Sequence, residues 1–372
     1  MYMNFATMFP ETKNVHLVKD VGMIAYIMYR KYGFNSKIIC YNNGEYPYLN
    51  KEVKGLEIGF IKRYTGNSII DGSIYLIFNS HNIDVLHLFH FNKRTVIYTY
   101  IYKIFNRRGK IYLKLDADNK IKKAMTPYSK GIKTKMKKLI LKKYSLISVE
   151  TSKIYNYLKD NWISNIKYIP NGFYDYDDKT LVNYEEKENI ICTVGRIGTY
   201  QKATNILLEG FKLAEDKIGN WKLKIIGPIE SDFRNYIDEF YINNPNLKDK
   251  IIFTGPIYDR NKLNEEYKKS KIFCLTSRFE SFGLVFLEAM KNGCYLITSD
   301  IESSLDVTDN KKYGNIFPID DVKELANCLV TACNNENSLY ENCKNIQEYV
   351  YKKFYWPVIC KKVNNLLKYD DY

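Results

Sequence analysis

Two glutamates stand on either side of a glycine in SRFESFGLVFLEAM, residues 277–290. The pattern predicts a buried strand before this stretch, then a loop, then a helix for which Gly293 is a natural stop. Glu280 then precedes the helix and Glu288 lies inside it. A helix start presents backbone N–H groups that suit a phosphate. A favourable charge near a helix N-terminus and an ordinary surface residue are equally adequate interpretations of the two acids.

The amides of Gly283, Leu284 and Val285 are expected to point out of this helix start. Gly283 has no side chain to keep a phosphate at a distance. In that geometry Glu288 can accept hydrogen bonds from a ribose diol, and Glu280 can reach the group beyond the phosphates. The two acids would then flank one nucleotide site.

A second loop in the same half of the chain carries two cations. The stretch ICTVGRIGTYQKATNILLEGF predicts a strand, a glycine-containing loop with Arg196 and Lys202, and an apolar-patterned helix. Two cations after a strand suit a diphosphate that no metal neutralises. The motif is weak alone, because Arg and Lys in a loop usually face solvent. Together with the paired glutamates it favours a diphosphate site.

The elements that must position these residues alternate along nearly the whole chain. Apolar runs followed by longer helical patterns are typical of an α/β protein with parallel sheets, with seven strand candidates in the first half and five in the second. A Pro-Asn-Gly turn leads into a polar, acidic stretch. We predict domains at 1–180 and 181–354, with an amphipathic helix at 355–372 that packs back on the first. Two such domains imply a cleft, with ligands outside the carboxyl ends of the strands.

The composition indicates a soluble globular protein. The chain has 372 residues, of which 45% are hydrophobic and 26% charged. The sequence shows no signal-peptide pattern and no apolar run long enough to cross a bilayer, so we expect a cytoplasmic protein. Its eight cysteines form no C-x-x-C pair, which favours buried reduced thiols over metal ligands or disulfides.

Positive charge is concentrated in the first half. The net charge is +14, with +16 over residues 1–180 and −2 over the remainder. Ten lysines and no acid lie between Lys120 and Lys143. An anionic membrane surface is the favoured partner, a solvated surface helix is the alternative, and nucleic acid is disfavoured because no nucleic-acid motif is present. The apolar residues that recur there at helical spacing are Ile132, Met136, Leu139, Ile140 and Tyr144.

Five stretches of the second half resemble, in order, the donor-binding half of retaining glycosyltransferases of family four, which have the GT-B fold. They are VGRIGTYQK, KIIGP, IIFTGPI, SRFESFGLVFLEAMKNG and KYGNIFPIDDVKELA. DVLHLF, SLISVE and IPNGFYD look like landmarks of the first half. The resemblance is strong from Ile190 to about Leu325. It implies two Rossmann-like doubly wound domains that face each other across a cleft.

The resemblance also implies roles for individual residues. Arg196 and Lys202 would hold the donor diphosphate, Glu280 would bond hydroxyls of the transferred sugar, and Glu288 would hold the ribose. The helix-start amides would bind phosphate, and the stretch 255–257 would lie near the base. The donor-binding set implied in this way is completed by Gly195, Phe282, Gly283, Leu284, Val285, Gly255, Pro256 and Ile257.

Two positions depart from the family pattern. The family's Gly-Gly pair in the first loop is replaced by FPETKNVHLVKDVGM, which leaves a residue such as Asn14 in its place. Where the family often has a His after the fifth strand, this chain has Asp116, which we include among the catalytic candidates. His87 matches a position whose role in the family is mostly structural, so we expect it in the core. The Asp-x-Asp pair at 116–118 is typical of metal sites in the other glycosyltransferase fold, which would not explain a second nucleotide-binding half.

The function implied is that of a metal-independent, retaining hexosyltransferase that needs no cofactor. It would move a sugar from a nucleoside diphosphate sugar, with UDP as the default, to a glycan or lipid-linked acceptor bound by the basic first half. Polysaccharide or glycoconjugate synthesis at the inner face of the plasma membrane is the favoured context. The alternatives are a silent glycosyltransferase-like partner subunit and a sugar-nucleotide epimerase of the same fold.

Overall fold

The computed structural model consists of two compact units. The first comprises Met1–Tyr176 with Phe354–Tyr372, and the second comprises Asp177–Lys353. The residues that the structure describes are 3–117, 121, 132–161, 163, 165–176 and 181–368.

The first unit is built on a seven-stranded parallel sheet with the order β3-β2-β1-β4-β5-β6-β7. Its strands are β1 Asn4–Met8, β2 Asn35–Cys40, β3 Glu57–Phe60, β4 Val85–Phe89, β5 Lys110–Lys114, β6 Leu146–Val149 and β7 Ile166–Tyr168. The helices described between them are α1 Asp20–Tyr32, α2 Ser68–Asn79, α3 Lys93–Phe105, α4 Ile132–Leu141 and α5 Ser152–Asn161.

Both faces of this sheet are covered by apolar packing. Successive strand residues point to opposite faces, and neighbours along a strand enter different clusters: Phe5 and Ile38 join one, while Ala6 and Ile39 join the other. A sheet buried on both faces is the arrangement expected of an α/β fold with parallel strands.

The second unit is built on a six-stranded parallel sheet with the order β10-β9-β8-β11-β12-β13. Its strands are β8 Glu188–Val194, β9 Lys222–Ile226, β10 Ile251–Gly255, β11 Ser270–Leu275, β12 Tyr295–Ser299 and β13 Gly314–Phe317. Its helices are α6 Thr204–Ala214, α7 Phe233–Asn243, α8 Arg260–Lys269, α9 Leu284–Lys291, α10 Ser304–Val307, α11 Val322–Cys333 and α12 Glu336–Phe354.

The strand order reverses once in each unit, between β1 and β4 and between β8 and β11. This doubly wound, Rossmann-like arrangement in both halves confirms the predicted fold class. The sixth strand of the second unit, β13, is not among the predicted strands. All eight cysteines are buried and none forms a disulfide, as expected.

The C-terminal segment forms a helix, α13 Trp356–Lys368, within the first unit. Trp356 is buried at its start. The hydroxyl of Tyr32 at the end of α1 donates to the carbonyl of Pro357 at 3.0 Å, and Lys110 Nζ donates to the carbonyl of Leu367 at 2.7 Å. The predicted C-terminal helix is therefore present, and it packs beside α1.

The lysine-rich segment predicted to contact a membrane lies partly outside the described residues. Its described part is residue 121, α4 and the turn up to Lys143. On α4, the side chains of Met136 and Leu139 are 56% and 61% exposed. Across the described parts of the chain, no helix combines the length and the apolar content needed to cross a membrane.

A buried carboxylate organises the loop between β3 and α2. Asp71 accepts hydrogen bonds from the backbone and hydroxyl of Thr65, from the amide of Gly66 and from the hydroxyl of Tyr41, all at 2.9–3.0 Å. Burial alone would raise the pKa of Asp71, but these hydrogen bonds outweigh it and lower the pKa below its ordinary value. The carboxylate form is therefore the one that holds the loop.

Replacing Asp71 with Asn should loosen this loop in a pH-dependent way. Because its pKa is lowered in the folded protein, the carboxylate stabilises the fold above its ordinary pKa, and this stabilisation is lost as pH falls through the folded pKa. The gap in melting temperature between wild type and Asp71→Asn should thus be full at about pH 7 and should narrow progressively as the pH falls below about 4. Asp238→Asn, at an exposed site on α7, serves as control. A gap that stays constant with pH would contradict this role.

Candidate functional site

The two loops singled out in the sequence lie side by side in the second unit. Strands β8 and β11 pair in parallel, with Ile191 opposite Ile272, so the loops that follow them leave the same edge of the sheet. The hydroxyl of Thr276 donates to the carbonyls of Lys202 and Ala203 at 2.9 and 3.1 Å. These bonds fix the first loop against the second at the point where the strand order reverses, which is where such sheets bind ligands.

Lys202 and Glu280 form an ion pair across these loops. Lys202 Nζ lies 2.5 Å from Glu280 Oε1, and the hydroxyl of Ser277 donates to the same oxygen at 2.9 Å. Only 16% of the Lys202 side chain and 11% of the Glu280 side chain are exposed. The structure therefore brings together two residues that lie far apart in the sequence, and it orients both.

Arg196 lies at the exposed rim of the same site. One of its guanidinium nitrogens donates to Gln201 Oε1 at 3.1 Å, and Gln201 Nε2 donates to the carbonyl of Phe279 at 3.1 Å. A Cβ added to Gly195 would lie 3.1 Å from Lys202 Cε. Arg196 is thus linked through Gln201 to the loop that carries Glu280, and Gly195 lies directly against Lys202.

The helix after the second loop starts at the predicted glycine. Gly283 has a φ of 81° and precedes the first residue of α9, and no side chain caps this helix start. Phe282 is buried, whereas Leu284 and Val285 are half-buried. A Cβ on Gly283 would lie 2.9 Å from the ring of Phe286 and 3.9 Å from Glu280 Cγ. An uncapped helix start beside the ion pair can bind a phosphate.

Glu288 is held in place by a buried tyrosine. The hydroxyl of Tyr267 donates to Glu288 Oε2 at 3.1 Å, and Tyr267 is buried. Burial and the neighbouring Glu288 raise the pKa of Tyr267 well above its ordinary value, so its hydroxyl keeps its proton and remains a donor. Glu288 is therefore a half-buried, oriented carboxylate rather than an ordinary surface residue.

The stretch predicted to lie near the base follows β10 at the same edge of the sheet. Gly255 has a φ of 73°, and an added Cβ would meet nothing within 4 Å. Its carbonyl accepts a hydrogen bond from the amide of Gly227 at 3.0 Å. Pro256 is exposed and Ile257 is half-buried. These residues lie two strands away from β8, on the side opposite β11.

Two residues that help to build this edge were not predicted. Gly227 has a φ of 146°, and a Cβ there would lie 1.8 Å from the carbonyl oxygen of Gly195, so only glycine permits this approach. Arg278 stacks on the ring of Tyr200 at 4.3 Å and donates to Asp320 at 2.9 Å. The available signal for Gly227 was its place directly after a strand, in KIIGP.

Asp116 lies in the first unit, two residues after the end of β5. Its φ is 43°, and its amide donates to Glu150 Oε1 at 3.1 Å. The amide of Ala117 donates to the other oxygen of Glu150 at 3.0 Å. The ammonium group of Lys114 also contacts Glu150, and it lies 3.6 Å from Asp20 Oδ2. Glu150 therefore fixes the turn that presents Asp116.

His87 belongs to the core of the first unit, as the sequence indicated. It is buried and stacks on Tyr112 with 4.4 Å between ring centres, while Thr7 Oγ1 lies 3.0 Å from its Nδ1. Burial, helped by the nearby charge of Lys114, lowers the pKa of His87 well below its ordinary value. The ring is therefore neutral and acts in packing.

Lys114 and Glu150 are fully buried and form an ion pair. Burial alone would lower the pKa of Lys114, but the carboxylates of Glu150 and Asp20 raise it above its ordinary value. Removal of one partner would leave an unpaired charge in the interior, which is strongly destabilising.

Lys114→Met should destabilise the first unit by about 3–5 kcal/mol, because it leaves the buried Glu150 carboxylate without its cation. Lys114→Met combined with Glu150→Gln should recover part of this loss, since the amide is neutral and its oxygen can still accept a backbone N–H. Urea denaturation, with hydrogen exchange of peptides from β5 and β6, measures the effect. Lys268→Met, which breaks an exposed ion pair with Glu265, should cost about 0–1 kcal/mol. Equal losses in Lys114→Met and Lys268→Met would contradict this account.

Comparisons with known proteins bear on the fold and on the second unit. Residues 178–353, nearly the whole second unit, match the family model described as "Glycosyl transferases group 1". The solved structure of Anabaena HepE in complex with UDP and glucose is similar, with a TM-score of 0.70 and 14% identity over 99% of this chain and 100% of that one. The chain has the GT-B fold.

Two curated proteins are similar at the level of sequence. An uncharacterised glycosyltransferase of Methanocaldococcus jannaschii is 26% identical over 59% of this chain and 57% of its own length. A capsular polysaccharide biosynthesis glycosyltransferase of Staphylococcus aureus is 28% identical over 48% of this chain and 45% of its own length. The chain thus spans about half the length of these curated relatives.

Among the described residues, no group of three or more His, Cys, Asp or Glu side chains could hold a metal ion.

Proposed function

We propose that the protein is a retaining glycosyltransferase that moves a sugar from a nucleoside diphosphate sugar to an acceptor hydroxyl. The observation that carries the proposal is the meeting of Lys202, Glu280 and the uncapped start of α9 at the point where the strand order of the second unit reverses. This meeting lies within the residues that match the group 1 model. UDP is the nucleotide we favour, because HepE was solved with UDP and glucose.

In this proposal Lys202, Arg196 and the amides at the start of α9 bind the donor diphosphate. Glu280 accepts hydrogen bonds from hydroxyls of the transferred sugar, and Glu288, oriented by Tyr267, accepts them from the ribose. Gly255–Ile257 at the end of β10 contact the base.

The proposed reaction takes place on one face of the sugar. The bond between the anomeric carbon and the diphosphate oxygen breaks, and a bond from the acceptor oxygen forms on the same face. The acceptor's proton passes to the departing diphosphate, so that no separate protein base is required. Catalysis then depends on positioning and on stabilisation of the departing charge by Arg196, Lys202 and the helix start.

The first unit is proposed to bind the acceptor, a glycan or a lipid-linked precursor of cell-surface polysaccharide or glycoconjugate. An anionic membrane surface is the proposed partner of the lysine-rich segment. Its described part, α4, exposes Met136 and Leu139 beside lysines, which is the pattern of a helix lying on a membrane. The inner face of the plasma membrane is the proposed location.

Calorimetric titration with UDP, GDP and ADP, without added metal, tests the donor site. We expect UDP to bind in preference to the other two. Glu288→Ala should weaken UDP binding about tenfold or more, because a hydrogen bond to a charged group is lost. Lys202→Met should weaken it as well, through the diphosphate. Glu341→Ala, an exposed glutamate of α12, is the matched control and should bind UDP as the wild type does.

Failure of all three nucleotides to bind the folded protein would contradict the transferase proposal and favour the silent partner subunit. Binding that survives Glu288→Ala and Lys202→Met unchanged would place the nucleotide elsewhere.

Sedimentation with lipid vesicles tests the membrane contact. The protein should sediment with vesicles that contain phosphatidylglycerol and not with phosphatidylcholine alone, and salt should weaken the binding. Leu139→Ser should reduce it, because it removes an exposed apolar side chain from α4. Ile242→Ser removes a similarly exposed side chain from α7 of the second unit and should have no effect. Equal losses in both variants would exclude α4 as the contact.

A further inference from the structure

The first unit has a cavity of about 330 Å³ at the carboxyl edge of its sheet. Three neighbouring strands contribute to it through the loops that follow them: Lys13 comes after β1, Tyr41 and Asn43 after β2, and Arg63 after β3. Ser68 at the start of α2 completes the wall. We call this the β1–β3 cavity. It lies at the edge where sheets of this kind bind ligands, and its volume suits a group about the size of one sugar.

Arg63 is the principal cation of the β1–β3 cavity. Its guanidinium stacks over the ring of Tyr41 at 4.7 Å and donates one hydrogen bond, of 2.9 Å, to Asn43 Oδ1. A guanidinium carries five N–H donors in a planar fork. The stacking and the single bond to Asn43 orient this fork and leave donors available for a ligand.

The carboxylate in the cavity wall is already neutralised. Glu11 pairs with Arg94, which also donates to Ser68 Oγ at 3.2 Å. Among the described residues, no carboxylate lies within ion-pair distance of Lys13 or Arg63. Two positive charges therefore face the cavity without a negative partner, and the cavity is complementary to an anion.

Asp71 holds the loop that carries Arg63 in place. Asp71 binds Thr65, Gly66 and the hydroxyl of Tyr41, the ring on which Arg63 stacks. Burial and the hydrogen bond to Asp71 raise the pKa of Tyr41 to about 12, so this hydroxyl stays protonated and keeps donating. The Arg63 side chain is exposed, but its stacking on Tyr41 and the bonds of Asp71 to its loop hold it in place, which lowers the entropic cost of binding.

We propose that the β1–β3 cavity binds an oxyanion, a phosphate or a carboxylate, carried by the acceptor. Arg63 contacts the anion through its fork, which matches the paired oxygens of both groups, and Lys13 adds a second charge. This inference rests on the proposed function in one respect: the molecule that carries the anion is taken to be the acceptor of the transferase reaction. A phosphate would come from a lipid-linked or phosphorylated acceptor, and a carboxylate from an acidic glycan.

Calorimetric titration with glucose 1-phosphate, glucuronic acid and neutral methyl glucoside tests the cavity, with UDP present to fill the proposed donor site. At least one anionic probe should bind more tightly than methyl glucoside. Arg63→Met should weaken that binding about tenfold, the loss expected for one charge-assisted contact. Lys62→Met is the matched control: it removes the same charge one residue away, from a lysine that stacks on Tyr64 and does not line the cavity. It should leave the affinity unchanged.

The stronger of the two anionic probes identifies the source, phosphate or carboxylate. Equal losses in Arg63→Met and Lys62→Met, or methyl glucoside binding as tightly as the anions, would overturn the proposal. UDP affinity should be the same in Arg63→Met and wild type, and an unchanged melting temperature shows that the first unit of the variant is folded. If UDP binds but the anionic probes bind no more tightly than methyl glucoside, only the cavity proposal fails. If the Arg63-dependent anion binding is found without UDP binding, the transferase proposal fails instead.

Discussion

The parallel pairing of β8 with β11 is the constraint on which the candidate donor site depends. These strands are neighbours in the sheet although two other strands separate them in the sequence. Their pairing brings the loop with Lys202 against the loop with Glu280, and Thr276 ties the two loops together through backbone carbonyls. Every other feature of the site, from the start of α9 to the rim at Arg196, is placed relative to this junction.

The Lys202–Glu280 ion pair determines the charge balance of the site. Two partly buried charges would each cost free energy if left alone, and here each neutralises the other. A donor diphosphate would compete with Glu280 for Lys202, because it brings more negative charge to the same ammonium. A carboxylate released in this way would be available to sugar hydroxyls. Under the proposed function, the same pair would keep the site ordered before binding and divide into two binding groups afterwards.

The sequence predicted the local elements better than the contacts between them. The strand–loop–helix order around Gly283, the stop at Gly293 and the two doubly wound units follow from periodicity and turn residues. The anchoring of Asp116 by Glu150, the tyrosine that holds Glu288 and the closeness of Gly227 to Gly195 do not, because they join residues that are distant in the sequence and depend on strand order. The short strand β13 was missed because four residues that begin with a glycine carry little periodic signal.

Two cations of the first unit have different physical environments. In the first unit Lys114 is sealed in the interior with Glu150 and supports the turn at Asp116, so it is unavailable to a ligand. Arg63 stands over a tyrosine in a cavity whose only carboxylate among the described lining residues is already paired with Arg94. The excess of positive charge in residues 1–180 therefore has parts with distinct physical roles. Buried pairing accounts for Lys114, whereas an unpaired cation on a rigid loop such as Arg63 is the kind that recognises a substrate anion.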